Sequence, residues 1–222
     1  MTVKDTTFHK LRRRTPRQKR SQILYDKIIT TAKTLFKQHG YAYVSTNRIA
    51  EKANISIGSL YQYFANRESI ALAVYEDACS KAALTMKRKT LESLSATFED
   101  SVPELTGWVF EVFEKDRYAL LQLINEVPEL RKTAQPFSFD TLIQRTTQMF
   151  FEQHFAQVEP AVVARKSYVV DKCVIAVISK YLDERPDFLN KSQVVSEITE
   201  FVLRYSGTLS SARSASETPV GA

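Results

Sequence analysis

The chain has 222 residues, 44% of them hydrophobic and 25% charged, which suits one or two domains with sizeable cores and excludes wholesale disorder. Only five Gly and seven Pro occur, and Pro136, Pro160 and Pro186 fall between apolar-periodic stretches, a pattern that favours an all-α fold. Net charge is +6, divided between a net of +10 over residues 1–70 and a net of −4 over the rest, so a polyanion-binding module is joined to something else.

Residues 1–20 carry Lys10, Arg12, Arg13, Arg14, Arg17, Lys19 and Arg20 with almost no apolar anchors. Such a segment cannot fold alone and is expected to be a flexible basic arm. A solubilising tail and a nuclear import signal compete with an arm that neutralises phosphates and reaches a minor groove. The arm reading is favoured if the unit that follows can enter a DNA groove, with Arg12, Arg13, Arg14 and Arg17 as its contacts.

The first helix is predicted from about Ser21 to Gln38, with Leu24, Ile28, Ala32, Leu35 and Phe36 on one apolar face. Gly40 stands where a left-handed cap is wanted, and Tyr41 and Val44 have the size to pack beneath the next helix. Ser45 can cap a second helix whose inner face is Ile49, Ala50 and Ala53. Asn54 and Ile55 make a turn, and Ser56 caps a third helix in which Leu60 and Phe64 face inward. Ile57, Gly58, Ser59, Tyr61, Gln62 and Tyr63 are then disposed around the outer side.

Two short helices about a tight turn can push the first turn of the second into a DNA groove. Helix amino termini attract phosphate, so the caps at Ser45, Ser56 and Asn66 put Thr46, Ile57 and Arg67 beside the backbone. Gly58 allows close approach, and its cost of about 1 kcal/mol in a helix asks for a compensating reason. Gln62 can make the bidentate contact to adenine, with Asn47 and Gly58 also near the bases. Ser59, Tyr61 and Tyr63 are expected to grip phosphates with Ser45, Thr46, Ser56 and Arg67.

Ser45-Thr46 before Ile49-Ala50, then Ala53, Ile55-Ser56, Gly58-Ser59-Leu60-Tyr61, Tyr63-Phe64 and Arg67-Glu68, resemble the tetracycline-repressor-like (TetR) transcriptional regulators. The resemblance covers roughly residues 21–70. Arg67 stands where that family usually has lysine, and Asn47 and Gln62 are family-variable positions, which leaves the DNA sequence open. It implies a helix-turn-helix domain over residues 21–66, a helical effector-binding and dimerisation domain over 67–205, and a tail over 206–222 that composition marks as disordered.

A long fourth helix starts at Asn66-Arg67-Glu68 and runs towards Ser93, with Ile70, Val74, Ala78 and Ala82 on its face. The resemblance implies that it joins the DNA-reading head to the body and moves with ligand. From Pro103 a further helical pattern runs through Trp108, Val109, Val112 and Phe113 to Leu120, Leu121 and Ile124, with a break at Asn125–Arg131. Another helix spans about Phe139 to Phe155. Most of these aromatic residues are core by their spacing. The resemblance implies a pocket among them for a small effector, with Trp108, Phe113, Leu121, Phe150 and Phe151 as its lining and an apolar or aromatic ligand.

Residues 161–182 form the most apolar long helix, Pro186 ends it, and a last helix carries Val194, Ile198, Phe201, Val202 and Tyr205. These two could simply close the core. By resemblance they form a four-helix homodimer interface through Val170, Val174, Val177, Ile178, Tyr181, Val194, Ile198, Phe201 and Val202. A dimer also meets a physical need, since one short helix buries too little to be specific.

The expected function is that of a homodimeric repressor on a pseudo-palindromic double-stranded DNA operator, released by a small effector. An effector-independent or activating protein of the same fold is the alternative. A homeodomain-like reading needs a long basic third helix, which residues 57–65 do not provide. An enzyme is disfavoured. His9, His39 and His154 are scattered, and no metal spacing, phosphate-cradling glycine loop or nucleophile elbow occurs, so no catalytic residue, metal or cofactor is assigned. No apolar run is long enough for a membrane span or a secretory signal. Cys79 and Cys173 read as buried free thiols, and a cytoplasmic location is expected.

Overall fold

A computed structural model describes residues 19–93, 96–128, 130 and 139–216. Among them the regular structure is helical: α1 (Lys19–His39), α2 (Thr46–Lys52), α3 (Ile57–Tyr63), α4 (Arg67–Ser93), α5 (Phe98–Arg117), α6 (Leu123–Glu126), α7 (Phe139–His154), α8 (Pro160–Glu184) and α9 (Lys191–Ser216). A π-helical turn, Tyr118–Gln122, carries α5 into α6. The all-α fold expected from the sequence is the fold observed.

The chain divides into two compact units. One contains α1–α3, α4 as far as Lys81, and the segment from Asp116 through α6. The other contains α4 from Ala82, α5 to Lys115, and α7–α9. The boundary expected at residue 66 therefore lies inside α4, and residues 116–126 belong with the amino-terminal unit. Polar ties hold them there. Lys33 of α1 pairs with Asp116, and the Glu126 carboxylate accepts from the Tyr41 N–H and the Tyr118 hydroxyl, each at 2.8 Å.

In the amino-terminal unit α1 buries Tyr25, Ile28, Ile29, Ala32, Leu35 and Phe36; of the predicted face Leu24 is only half-buried, and Tyr25 and Ile29 join the rest. Tyr25 stacks on Phe64 at 5.1 Å, and Ile49, Leu60 and Phe64 are fully enclosed. Gly40 adopts φ 79° while its N–H bonds the Phe36 carbonyl at 2.8 Å, so the chain leaves α1 through a conformation that a side chain would strain.

In the other unit α5 starts at Phe98 rather than at Pro103, because Thr97 Oγ1 accepts from the Asp100 N–H at 3.1 Å and so caps the helix earlier. Phe98 then packs on Phe150 at 5.3 Å, Phe151 at 5.4 Å and Phe155 at 4.9 Å. α8 opens on Pro160 and closes at Arg185, whose φ of 45° and N–H bond to the Tyr181 carbonyl end the helix. α9 opens on a reciprocal cap: Asn190 Oδ1 accepts from the Gln193 N–H at 3.0 Å, and Gln193 Oε1 accepts from the Asn190 N–H at 2.9 Å. It continues past Ser206 to Ser216, where a disordered tail was expected. Burial of Ser206 and Leu209 explains the extension. Residues 217–222 lie outside the described residues. Cys79 and Cys173 form no disulfide and are half-buried rather than buried.

Replacing Glu126 with Ala leaves the Tyr41 N–H and the Tyr118 hydroxyl without their shared acceptor. Chemical denaturation should then show a loss of about 1–2 kcal/mol, the usual worth of hydrogen bonds to a charged group at a partly exposed site. An unchanged midpoint would mean that this carboxylate does not hold residues 116–126 in place.

Candidate nucleic-acid interface and effector cavity

Two serine caps set the orientation of the helix-turn-helix. Ser45 Oγ accepts from the Arg48 N–H at 3.2 Å and Ser56 Oγ from the Ser59 N–H at 3.0 Å, starting α2 and α3. Between them Asn54 takes a φ of 50°, which its short polar side chain tolerates, and the Ile55 N–H closes the turn on the Ala50 carbonyl at 3.0 Å. α3 then shows solvent a stripe of Ile57, Gly58, Tyr61 and Gln62, all exposed, at positions one turn apart. Asn47 on α2 is exposed as well, and Thr46 Oγ1 lies 3.1 Å from the Tyr61 hydroxyl, which ties the exposed ends of the two helices together.

Gly58 is informative. A Cβ built there would meet only Ser56 Oγ, at an ordinary 3.8 Å. Nothing inside the chain requires glycine at this position.

Three expected contacts are placed differently. Tyr63 is 6% exposed, its ring edge set against Tyr25 at 6.3 Å. It shares the inward stripe of Leu60 and Phe64 because it lies three residues after Leu60, so its ring is core. Arg67 is half-buried and turned inward. Its Nη1 donates to the carbonyls of Tyr41 and Ala42 at 3.2 Å and of Val44 at 3.4 Å, and its guanidinium sits 4.1 Å from the Tyr41 ring centre. Arg67 thus braces the turn ahead of α2. Ser59 shares its hydroxyl with Ser56 Oγ at 2.8 Å, inside the cap. Arg12, Arg13, Arg14 and Arg17 lie outside the described residues.

The Tyr41 hydroxyl donates to Glu68 Oε1 at 2.9 Å. Burial, reinforced by that bond, pushes its pKa up to about 12, so it remains a donor at any physiological pH. Arg48 escaped the sequence reading. It is an exposed cation on α2 with Nη2 3.0 Å from His39 Nε2, and exposed Tyr43 stands on the preceding turn. A lone arginine in a seven-residue helix gave no periodic signal of its own.

The carboxyl-terminal unit holds a partly open cavity of about 90 Å³ between α4, α5, α7, α8 and α9. Of the expected lining, Trp108, Phe150 and Phe151 are present. Phe113 is instead packed on Phe139 at 5.6 Å, and Leu121 lies in the π-helical turn of the other unit. Val170, Val174 and Val202, expected at a dimer interface, line this cavity. Ile178, Tyr181, Val194 and Ile198 are also buried within the single chain, which leaves Val177 at 46% and Phe201 at 36% as the exposed members of that set. Asp171 adds a carboxyl group to the apolar wall, and burial pushes its pKa above the ordinary carboxylate value against the opposing effect of Lys172.

Among the described residues no group of side chains has the makings of a metal site, and no helix is long and apolar enough to cross a membrane.

Residues 28–74 match the family of bacterial regulatory proteins, tetR family. The chain is 28% identical over 78 residues to the A-factor receptor protein of Streptomyces griseus, covering 35% of this chain and 28% of that protein. It is 28% identical over 114 residues to the uncharacterized HTH-type transcriptional regulator YerO of Bacillus subtilis (strain 168), covering 50% of this chain and 39% of that one. The match thus spans well under half the length of either relative. The fold is similar to that of a Mesorhizobium loti protein assigned to the TetR-family transcriptional regulators, with a TM-score of 0.71 and 17% identity, over 86% of this chain and 98% of the other. The helix-turn-helix segment therefore lies inside the stretch that matches the tetR family of bacterial regulatory proteins, and the fold is one that solved regulators of that family share.

Proposed function

We propose that this chain is a homodimeric repressor that binds a pseudo-palindromic DNA operator and is released by a small, largely apolar effector. The observation that carries the DNA-binding part is the exposed stripe of Ile57, Gly58, Tyr61 and Gln62, with a glycine that has no use inside the chain. In this reading Ser45, Thr46, Ser56 and Tyr61 hold phosphates, Ile57 and Gly58 let α3 approach, and Asn47 and Gln62 read base edges. Arg48 joins the phosphate contacts, whereas Arg67 and Tyr63 act by holding the unit in shape.

Dimerisation would use what α8 and α9 leave exposed: Tyr168, Val177 and Phe201, with the Phe201 ring stacked on Tyr205 at 5.6 Å. Two copies would place their α3 helices in successive major grooves about 34 Å apart. An effector in the carboxyl-terminal cavity would favour a form with the wrong spacing, a coupling of about 1–3 kcal/mol. Helices α4 and α5 each run from one unit into the other and are covalent routes between them.

Fluorescence anisotropy with duplexes from the region around its own gene tests the reading. Gly58→Ala should leave thermal stability unchanged or raise it by up to about 1 kcal/mol, since alanine is the better helix former. The same change should weaken duplex binding by about tenfold or more by keeping the backbone off the DNA. Wild-type affinity in this variant would remove α3 from the interface.

Gln62→Ala should relax preference at one base position by about 1–3 kcal/mol, while Arg48→Ala should weaken all sequences alike and reduce the salt dependence. Equal losses on every sequence for both variants would contradict that division of roles.

Val177→Glu combined with Phe201→Glu should yield a folded monomer in sedimentation, because both side chains are exposed in the single chain. A dimer that survives this pair of charges would place the interface elsewhere.

A further inference from the structure

The cavity wall is apolar almost throughout, yet two of its members carry polar atoms that the chain leaves unsatisfied. Asp171 of α8 is 2% exposed, and neither Oδ1 nor Oδ2 accepts an aligned hydrogen bond. Trp108 Nε1 of α5 is also buried without an acceptor. Native interiors satisfy nearly all such atoms, and a buried carboxylate is among the costliest to leave bare.

Lys172 is shared between Asp171 and a second carboxylate. Its Nζ lies 3.1 Å from Asp171 Oδ2, but its hydrogen bond goes to Asp140 Oδ1 at 2.6 Å. One ammonium therefore faces two carboxylates, so Asp171 has only a shared counter-ion, and its ionised form has room for a second cation.

We propose that the cavity binds a small amphiphile with an aromatic or alkyl body and a protonated amine, the ammonium pairing with Asp171 while the body lies against Trp108, Phe150 and Phe151. This rests on the carboxyl-terminal unit being the effector-binding body. A volume of about 90 Å³ sets the body at the scale of a single ring or a short chain. The same carboxylate repels a carboxylate ligand of equal size, so the site selects by sign as well as by shape. An oxygen on the ligand body would satisfy the Trp108 N–H.

The chain has a single tryptophan, so its fluorescence reports on this cavity directly. The test titrates the full chain with 2-phenylethylamine, 2-phenylethanol and phenylacetate, three bodies of one size that differ in charge. The amine should bind at least about tenfold tighter than the alcohol, and phenylacetate should be the weakest, as expected when a desolvated charge pair forms in only one of the three. Asp171→Asn should cut amine affinity by about tenfold or more and leave the alcohol within about threefold.

Equal binding of amine and alcohol by the wild-type chain would overturn the proposal, as would failure of all three to bind, whether or not a variant at 171 folds. An unchanged amine-to-alcohol ratio in Asp171→Asn would overturn it too. Release of a bound duplex, measured in parallel, separates this proposal from the effector role. Selective amine binding that leaves the duplex bound keeps the ligand class and removes the effector role. Release by the neutral or anionic compound alone keeps the effector role and removes the ligand class.

Discussion

The presentation of α2 and α3 depends on a knot of polar contacts around Tyr41. Its N–H donates to Glu126, its hydroxyl donates to Glu68, its carbonyl accepts from Arg67, and the Arg67 guanidinium lies over its ring. These contacts join the exit from α1, the start of α4 and the segment after α5 into one support. Short helices have little stability of their own, so seven-residue α2 and α3 hold their shape through what packs behind them. The Gly40 turn lets the chain enter this knot, and the Ser45 and Ser56 caps aim the two helices away from it.

The consequence is a division between residues that hold and residues that touch. Leu60, Tyr63 and Phe64 are spent inward on Tyr25 and its neighbours, so α3 has one exposed stripe. That stripe mixes a glycine, an amide, a tyrosine and an isoleucine, a set suited to close approach and base-edge contact and poorly suited to a core. The carboxyl-terminal unit shows the reverse arrangement. There a largely apolar wall, interrupted by threonines, includes one buried carboxyl group.

Much of the amino-terminal unit was legible in the sequence because its signals are local. Caps at Ser45 and Ser56, the turn at Asn54-Ile55 and the glycine at 40 each act within a few residues. Tyr63 was placed outward because its neighbours Leu60 and Phe64 filled the inner face by pattern, although three-residue spacing from Leu60 admits it to the same stripe. The bracing role of Arg67 leaves no local signal, because its partners lie 23 to 26 residues away. Glu126 was invisible for the same reason, 85 residues from Tyr41. In α8 and α9 hydrophobic periodicity located the apolar stripes but not what they face. Val170, Val174 and Val202 turned out to line a cavity within the chain, and only exposure singled out Val177 and Phe201.

Selection from a random pool of duplexes asks whether α3 reads DNA as one of a symmetric pair. Repeated rounds with the full chain should enrich an inverted repeat whose half-sites are centred about one helical turn, or a multiple of one, apart. Recovery of no sequence above the starting pool, or of a single unpaired motif, would contradict the account.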